Sequence, residues 1–336
     1  MKAFANQNAR SVEEAVTLAQ QSLQGGQSVS FVGGGTDLLQ LMKDRVVNRP
    51  GSELPDVLVN LKTVGGLDQV TPSAQGGATI GGMITLDALS QNALVRDRFR
   101  VLAEAAESVA SPQIRKAGTL AGNVCQRPWC WYFRNGFQCY KAGGSVCYSV
   151  RGENQLHAIF GGGPSYIVNP SDVAPALVAL DASFRVVGPE GERTLSAADF
   201  FVLPRQDAEH ENVLADDEVL ASVELPAPGS GMRSAFHKEM DREAWTHALA
   251  SAAVVLDMDG GVVRSARIVL GGVAPIPWRV PEAEALLAGN RVTPELARAV
   301  GAAAVAGARA MSKNAYKIPL ARSVVERTVL TLATSA

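Results

Sequence analysis

Apolar residues recur at three- and four-residue intervals from Val12 to Leu23 (Val12, Ala15, Val16, Ala19, Leu23), and this period predicts an amphipathic helix over Ser11 to Leu23. Ser11 with Glu14 forms a capping box at its start, and Gly25-Gly26 closes it. The period then drops to two. Ser28 to Val32 alternates as a strand, runs directly into Gly33-Gly34-Gly35-Thr36-Asp37, and gives way to a helix from Leu38 to Lys43. Short buried strands are expected at Asp56 to Leu61 and Ala78 to Ile80, and helices at Leu86 to Asn92 and Arg98 to Val109. A glycine-rich segment poor in aliphatic residues follows. After it, Tyr166 to Val168 reads as a strand, and Ser171-Asp172 as the cap of a helix from Val173 to Leu180. Ser183 to Val187 and Glu218 to Leu225 read as further strands.

Pro226-Ala227-Pro228-Gly229-Ser230-Gly231 is the best linker in the chain, and the pattern changes beyond it. Arg233 to Lys238, Leu249 to Met258 and Val262 to Gly271 read as three strands, the last two joined by a hairpin signal at Asp259-Gly260. Pro281 to Leu287, Pro294 to Arg309 and Ala315 to Leu332 read as helices. Strands followed by helices give an α+β class, with one domain over 1–226 and a second over 232–336.

Composition narrows the partners. With 336 residues, 47% hydrophobic and 19% charged, the chain can bury a sizeable core. A net charge of −2 without a Lys/Arg run argues against nucleic acid or an anionic membrane. The N-terminal stretch lacks an apolar signal region, and no 18-residue apolar run occurs, so no targeting signal or membrane insertion is expected. Export together with a signal-bearing partner to the periplasm is compatible with this, as is the cytoplasm.

Two stretches carry candidate chemistry. A strand, a glycine turn and a helix make a phosphate cradle, because glycines bare the backbone amides and the helix start adds partial positive charge. Gly33 to Asp37 has that form, yet it is neither a Rossmann fingerprint, since Leu38 stands where glycine is required, nor a Walker loop, since no Gly-Lys-Ser/Thr follows. Gly118-Thr119-Leu120-Ala121-Gly122-Asn123 offers a second turn of the same kind, and a plain structural turn is the competing reading of both.

All four cysteines, Cys125, Cys130, Cys139 and Cys147, fall in one window with spacing C-x4-C-x8-C-x7-C. A disulfide framework suits small secreted domains that cannot bury a core. Structural zinc prefers close C-x2-4-C pairs, which only the first pair approaches. An iron–sulfur cluster tolerates irregular spacing, because each thiolate arrives from its own loop. Trp129, Trp131, Tyr132 and Phe133 form a hydrophobic plug or shield a cluster; His157 reads as a solvated or core-satisfied imidazole in preference to a hydrogen-bond partner near the cysteines, and His210 as solvated in an acidic loop. No Ser–His–Asp triad or assignable carboxylate pair is present, so no catalytic residue is named.

Val32-Gly33-Gly34-Gly35-Thr36-Asp37, then Ile114-Arg115 and Gly118 to Asn123, resemble the FAD-binding (medium) subunit of the xanthine dehydrogenase family of molybdenum hydroxylases, over nearly the whole chain. The resemblance implies a two-subdomain FAD-binding domain of the PCMH type and a C-terminal domain of three antiparallel strands and three helices. An insertion at about 124–164 separates Asn123 from Ser171-Asp172 and holds the four cysteines. Gln126 to Arg134, with Gly152-Glu153-Asn154 and His157 to Phe160, is most similar to the periplasmic-type aldehyde oxidoreductase subgroup, which implies a [4Fe–4S] cluster on Cys125, Cys130, Cys139 and Cys147. Thiolate softness and spacing together then leave little room for zinc.

The resemblance further implies that Val32, Gly33, Gly34, Gly35, Thr36 and Asp37 cradle the pyrophosphate. Ile114, Gly118, Thr119, Gly122 and Asn123 would close on the same phosphates and the ribityl chain, with Asp172 at the adenosine end and Thr85 near the flavin. Lys238 and Arg242 occupy the family's Lys-x3-Arg positions, but Ala244-Trp245-Thr246-His247 replaces the acidic residues often found there. The implied activity is electron transfer within a molybdenum-dependent aldehyde oxidoreductase. A molybdopterin-binding large subunit would oxidise the aldehyde, and a [2Fe–2S] small subunit would relay electrons through FAD to an external acceptor. A 4-hydroxybenzoyl-CoA reductase flavoprotein and a non-catalytic nucleotide- and zinc-binding assembly protein are the alternatives.

Overall fold

The computed structural model describes residues 1–46, 54–244 and 246–334. Three sheets organise them. The first is parallel: Val57–Asn60 lies between Ala5–Asn8 and Val29–Val32, with Val57 opposite both Ala5 and Val29. The helix Val12–Gln24 covers it with Val12, Ala15, Val16 and Ala19, the stripe its period predicts. Ser11 Oγ accepts from the Glu14 amide at 3.1 Å, while the Glu14 carboxylate accepts from the Arg10 amide rather than from that of Ser11.

The second sheet is antiparallel, in the order Val70–Pro72, Ala78–Gly81, Val219–Leu225, Ser183–Gly188, Gly191–Ser196. Short helices (Leu86–Gln91, Ala93–Arg98, Arg100–Glu107, Leu120–Val124) and Val173–Ala179 pack with these two sheets into one apolar core, while Pro112–Ala117 buries no residue. The third sheet, Trp278–Arg279, Val262–Gly271, Ala250–Asp259, Met232–Glu239, is also antiparallel. Its tight hairpin turns through Gly260 and Gly261, both left-handed (φ 55° and 82°), a conformation that glycine adopts without a Cβ penalty.

Ala250 to Leu256 is buried at every position, because this sheet is covered on both faces. Ala250, Ala252, Val254 and Leu256 face the helices Pro281–Leu287, Pro294–Ala304 and Lys317–Thr334, whereas Ala253 and Val255 join the core of the preceding sheets. The α+β class and the strand-then-helix C-terminal half are therefore as expected.

Several local expectations fail for nonlocal reasons. Tyr166 to Val168 is not a strand: the Tyr166 carbonyl accepts from Ala158 and the Asn169 amide donates to Ala274, so no ladder forms. The helix expected over Arg98 to Val109 breaks at buried Phe99, and the one expected to reach Arg309 ends at Ala304. The Ser171-Asp172 cap of Val173–Ala179 is as expected, with Asp172 at the N-cap position and Ser171 Oγ accepting from the Ala174 amide at 3.0 Å. The turn at Gly118 to Asn123 contains a short helix, Leu120–Val124, capped by Thr119. The strands Ala5–Asn8, Val70–Pro72 and Gly191–Ser196 have no clear period in sequence and become strands through their neighbours.

The cysteine-bearing insertion has little regular structure beyond Trp131–Arg134 and two single 3-10 turns, Tyr140–Ala142 and Tyr148–Val150. Phe133, Cys139 and Ala142 form a small core with Leu41 and Val46. On its other side the loop before the last helix clamps it. Asn314 Nδ2 donates to the His157 carbonyl, the Lys313 amide to Asn154 Oδ1, and Tyr316 Oη to the Gln155 carbonyl. Lys317 is fully buried and donates to the Leu156 and Gly272 carbonyls at 3.1 and 2.6 Å; burial lowers its pKa to about 7.

Candidate functional site

The two glycine turns meet. A Cβ on Gly34 would overlap the Ala117 carbonyl and lie 2.8 Å from the Gly118 Cα, so only glycine lets the loops touch. Gly35 is left-handed (φ 71°), which completes the turn. Thr119 lies under Gly33 and spends its hydroxyl on the Gly122 amide at 3.2 Å. Together these loops wall a cavity of about 570 Å³. That volume suits a bound cofactor, and its lining mixes apolar side chains with bare backbone.

Of the expected cofactor contacts, Val32, Gly33, Gly34, Gly35, Thr36, Asp37, Ile114, Gly118, Thr119, Gly122, Asn123 and Asp172 line this cavity. Two do not. Thr85 caps the helix Leu86–Gln91, its hydroxyl accepting from the Ala88 amide at 3.1 Å, and its backbone bridges to Thr119 behind the wall. Lys238 is turned away into a buried ion pair, 2.6 Å from Asp172 Oδ2, and also donates to the Ser108 carbonyl at 3.0 Å. Burial pushes the Asp172 carboxyl up, and Lys238 pulls it back. Asn123 is held by the Ser171 hydroxyl at 2.7 Å. Asn123 and Ser171-Asp172, which flank the insertion in sequence, thus close together in space.

The insertion also supplies part of the wall, through charges that sequence reasoning missed. Arg134 Nη2 lies 2.7 Å from Asp37 Oδ1, and the Arg127 amide donates to Asp37 Oδ2 at 3.1 Å. Arg127 and Lys141, both buried, flank Glu211 at 3.4 and 3.0 Å. Three cations therefore meet two carboxylates beside the glycine loops. Asp37 does not cap the helix Leu38–Asp44; its carboxylate ties the glycine loop to the insertion. Trp129, expected as a plug or shield, instead lines the cavity, with the Arg134 guanidinium 4.2 Å from its ring centroid and the His247 ring at 5.0 Å. Arg242, Thr246 and His247 line it too, while Trp245 lies outside the described residues.

The cysteines are less tightly organised. Cys125 lines the cavity, Cys139 is buried, and Cys130 and Cys147 are half-buried. Burial pushes the Cys130 thiol up to about 11, with smaller contributions from nearby Cys139 and Cys147. Cys130, Cys139 and Cys147 thus share one neighbourhood. Among the described residues, however, no three or more Cys, His, Asp or Glu side chains are gathered closely enough to hold a metal ion. His157, expected to be solvated or satisfied in the core, is buried, with Nε2 3.3 Å from Cys130 Sγ and Nδ1 lacking a partner. Burial lowers its pKa to about 4. His210 is half-exposed and lies 2.8 Å from Asp207, as a solvated residue would. No helix among the described residues is long and apolar enough to cross a membrane.

Comparison with known proteins gives the family of the chain. Residues 2–228 match the family described as FAD binding domain in molybdopterin dehydrogenase, and residues 235–332 the CO dehydrogenase flavoprotein C-terminal domain. The chain is 35% identical to the aldehyde oxidoreductase FAD-binding subunit PaoB of Escherichia coli K12 over 326 residues, 96% of each chain. It is 28% identical to the carbon monoxide dehydrogenase medium chain of Hydrogenophaga pseudoflava, over 95% of this chain and 93% of that one. A solved carbon monoxide dehydrogenase from the same organism superposes with a TM-score of 0.76 at 28% identity, covering 99% and 97% of the two chains.

Proposed function

The chain belongs to the FAD-binding medium subunits of the molybdenum hydroxylases, a family of oxidoreductase components, and from that premise we propose a specific role. It is the FAD- and [4Fe–4S]-containing electron-transfer subunit of a molybdenum-dependent aldehyde oxidoreductase. Electrons from a [2Fe–2S] partner pass through FAD to an external acceptor, and the aldehyde is oxidised on a molybdopterin-binding partner. Residues 1–226 form the FAD-binding domain, with the insertion at about 124–164, and residues 232–336 the C-terminal domain.

The observation that carries the reading is the contact of Gly34 with Ala117 and Gly118 on the wall of a cofactor-sized cavity. Backbone amides brought this close present donors to a diphosphate without an intervening side chain. Bound FAD supplies the exchange between one- and two-electron transfer. The chain's own residues bind and orient it: the glycine loops hold the phosphates, Asn123 and Asp172 border the same wall, and Asp37 fixes one loop to the insertion through Arg134.

The aldehyde oxidoreductase assignment is favoured by 35% identity to the PaoB subunit over nearly the full length. The cluster is favoured by the confinement of all four cysteines to one insertion, and by the shared neighbourhood of Cys130, Cys139 and Cys147. Buried thiols with raised pKa ionise readily only when a cation replaces the proton, which an iron–sulfur centre does. Purification of the chain with its partners tests this. About four iron and four acid-labile sulfide per chain, beyond the partners' share, are expected. Stoichiometric zinc without sulfide would remove the cluster and most of the subgroup assignment.

A further inference from the structure

The cysteine-bearing insertion meets the C-terminal half of the chain around one fully buried amine. Lys317 opens the helix Lys317–Thr334, and its Nζ donates to the Leu156 carbonyl of the insertion at 3.1 Å and to the Gly272 carbonyl at 2.6 Å. Gly272 directly follows the strand Val262–Gly271, so a single side chain ties the insertion to the third sheet. Among the described residues no carboxylate is ion-paired with Lys317, and Asp241 acts on it only from a distance. Two carbonyl acceptors match the two N–H groups of a neutral amine. An ammonium carries a third N–H and a full charge, and this interior offers neither an acceptor for the one nor a counter-charge for the other. The contacts around it do not change with protonation: Asn154 accepts from the Lys313 amide at 2.9 Å and donates to Ser312 Oγ at 3.0 Å, and Asn314 Nδ2 donates to the His157 carbonyl at 3.0 Å.

We propose that Lys317 makes this junction a proton-sensitive latch: the insertion docks firmly while the amine is neutral and is released more often once the amine takes up a proton. Burial lowers the Lys317 pKa from 10.5 to about 7, whereas the solvated lysine of an opened junction regains its ordinary value. The docked state therefore binds fewer protons than the open one between these two values. From about pH 8 to about pH 9.5 each opening takes up close to one proton, so the opening constant falls about tenfold per pH unit. Below about pH 7 both states hold the proton, and docking levels off at its loosest. The other ionisable groups at the junction do not mimic this. His157 faces Lys317 from the insertion, and its pKa of about 4 keeps it neutral throughout. Burial and Asp241 raise the neighbouring Tyr316 above its usual 10.0, and Lys313 pairs with Glu153 at the surface. The thiols of Cys130 and Cys139, raised by burial, would lose protons on opening, which has the opposite sign. Because the insertion contributes Arg127 and Trp129 to the cavity wall, the latch sets how firmly that wall is held.

The test is hydrogen exchange of the full chain, followed by mass spectrometry between about pH 7.5 and about pH 9.5 and corrected for the base-catalysed exchange of free amides. Protection of peptides covering residues 153–158 should rise about tenfold per pH unit, while the strand Val219–Leu225 stays within about twofold. Lys317→Met keeps the side-chain length and removes the titrating group, so protection of residues 153–158 should be flat across the range. Lys317→Gln keeps N–H donors without a charge and should be flat as well, which separates the titration from the loss of two hydrogen bonds. Wild-type protection that changes by less than about twofold over the range would overturn the proposal. So would an equal slope in Val219–Leu225, which marks unfolding of the whole chain, or the wild-type slope retained in either variant. Should neither variant fold, the wild-type slopes decide alone. The readout requires no bound flavin, so a chain that takes up no FAD would remove the cofactor reading and leave these outcomes intact.

Discussion

Replacing Lys238 with methionine should be among the most damaging changes at the cavity wall. The substitution keeps the length of the side chain and removes only the ammonium. Lys238 and Asp172 are 2% and 5% exposed and 2.6 Å apart, so the change strands a carboxylate in the interior. Breaking a buried pair from one side costs about 3–5 kcal/mol, and the Ser108 carbonyl loses its 3.0 Å donor in addition, worth about 1 kcal/mol. A total of about 4–6 kcal/mol at neutral pH follows. For 336 residues the unfolding entropy is roughly 0.7 kcal/mol per degree, so the midpoint should fall by about 6–9 °C in calorimetry of the FAD-free chain.

The pH dependence checks the cause. Burial already holds the Asp172 pKa above its unfolded value in the wild type, and loss of Lys238 raises it further. A group whose folded pKa is raised contributes stability below the unfolded pKa and loses it as pH rises through the folded one. The variant's deficit should therefore be larger at pH 8 than at pH 5. Lys238→Met combined with Asp172→Leu, which removes both charges, should recover most of the loss. A deficit under about 1 kcal/mol at pH 8, or one independent of pH, would refute the account of this pair as buried and mutually dependent.

Gly34→Val should abolish FAD retention while the far-UV spectrum persists, because the side chain would enter the Ala117–Gly118 backbone; normal flavin content in the purified variant would remove the cradle. Arg134→Met frees the Asp37 carboxylate and uncovers one side of Trp129. It should cost about 2–3 kcal/mol in urea unfolding, since Arg134 is 10% exposed and also serves two carbonyls. Each single Cys→Ser change at Cys125, Cys130, Cys139 or Cys147 should lower iron and sulfide content and render the insertion protease-sensitive, because serine is a poorer iron ligand; full iron content in all four variants would defeat the ligand set. The chain alone should oxidise no aldehyde, and turnover by the isolated, molybdenum-free chain would contradict the division of labour proposed here.

Regular elements and tight backbone turns could be read from sequence because each leaves a local mark. The stripe of Val12–Gln24, the apolar strand run of the C-terminal half and the Asp259-Gly260 hairpin follow from a period of 3.6, from a short continuous apolar stretch and from the φ that Gly260 and Gly261 supply. The two glycine loops were readable for the same reason, since a backbone that must approach another backbone excludes Cβ. Edge and short strands such as Ala5–Asn8 were not, because their pairing partner, not their own pattern, makes them strands. Nor could sequence assign the charges and rings of the wall. Asp37 and Arg134 stand 97 positions apart, Asp172 and Lys238 66 apart, and Trp129 meets His247 from the C-terminal half of the chain. Charge pairing and stacking act through space and have no period along the chain, so the same residues would read as solvated wherever the fold left them apart. Sequence determined that two glycine-rich turns and four closely spaced cysteines exist; only the tertiary structure decided that the turns meet and that the segment carrying the cysteines forms part of the cavity wall beside them.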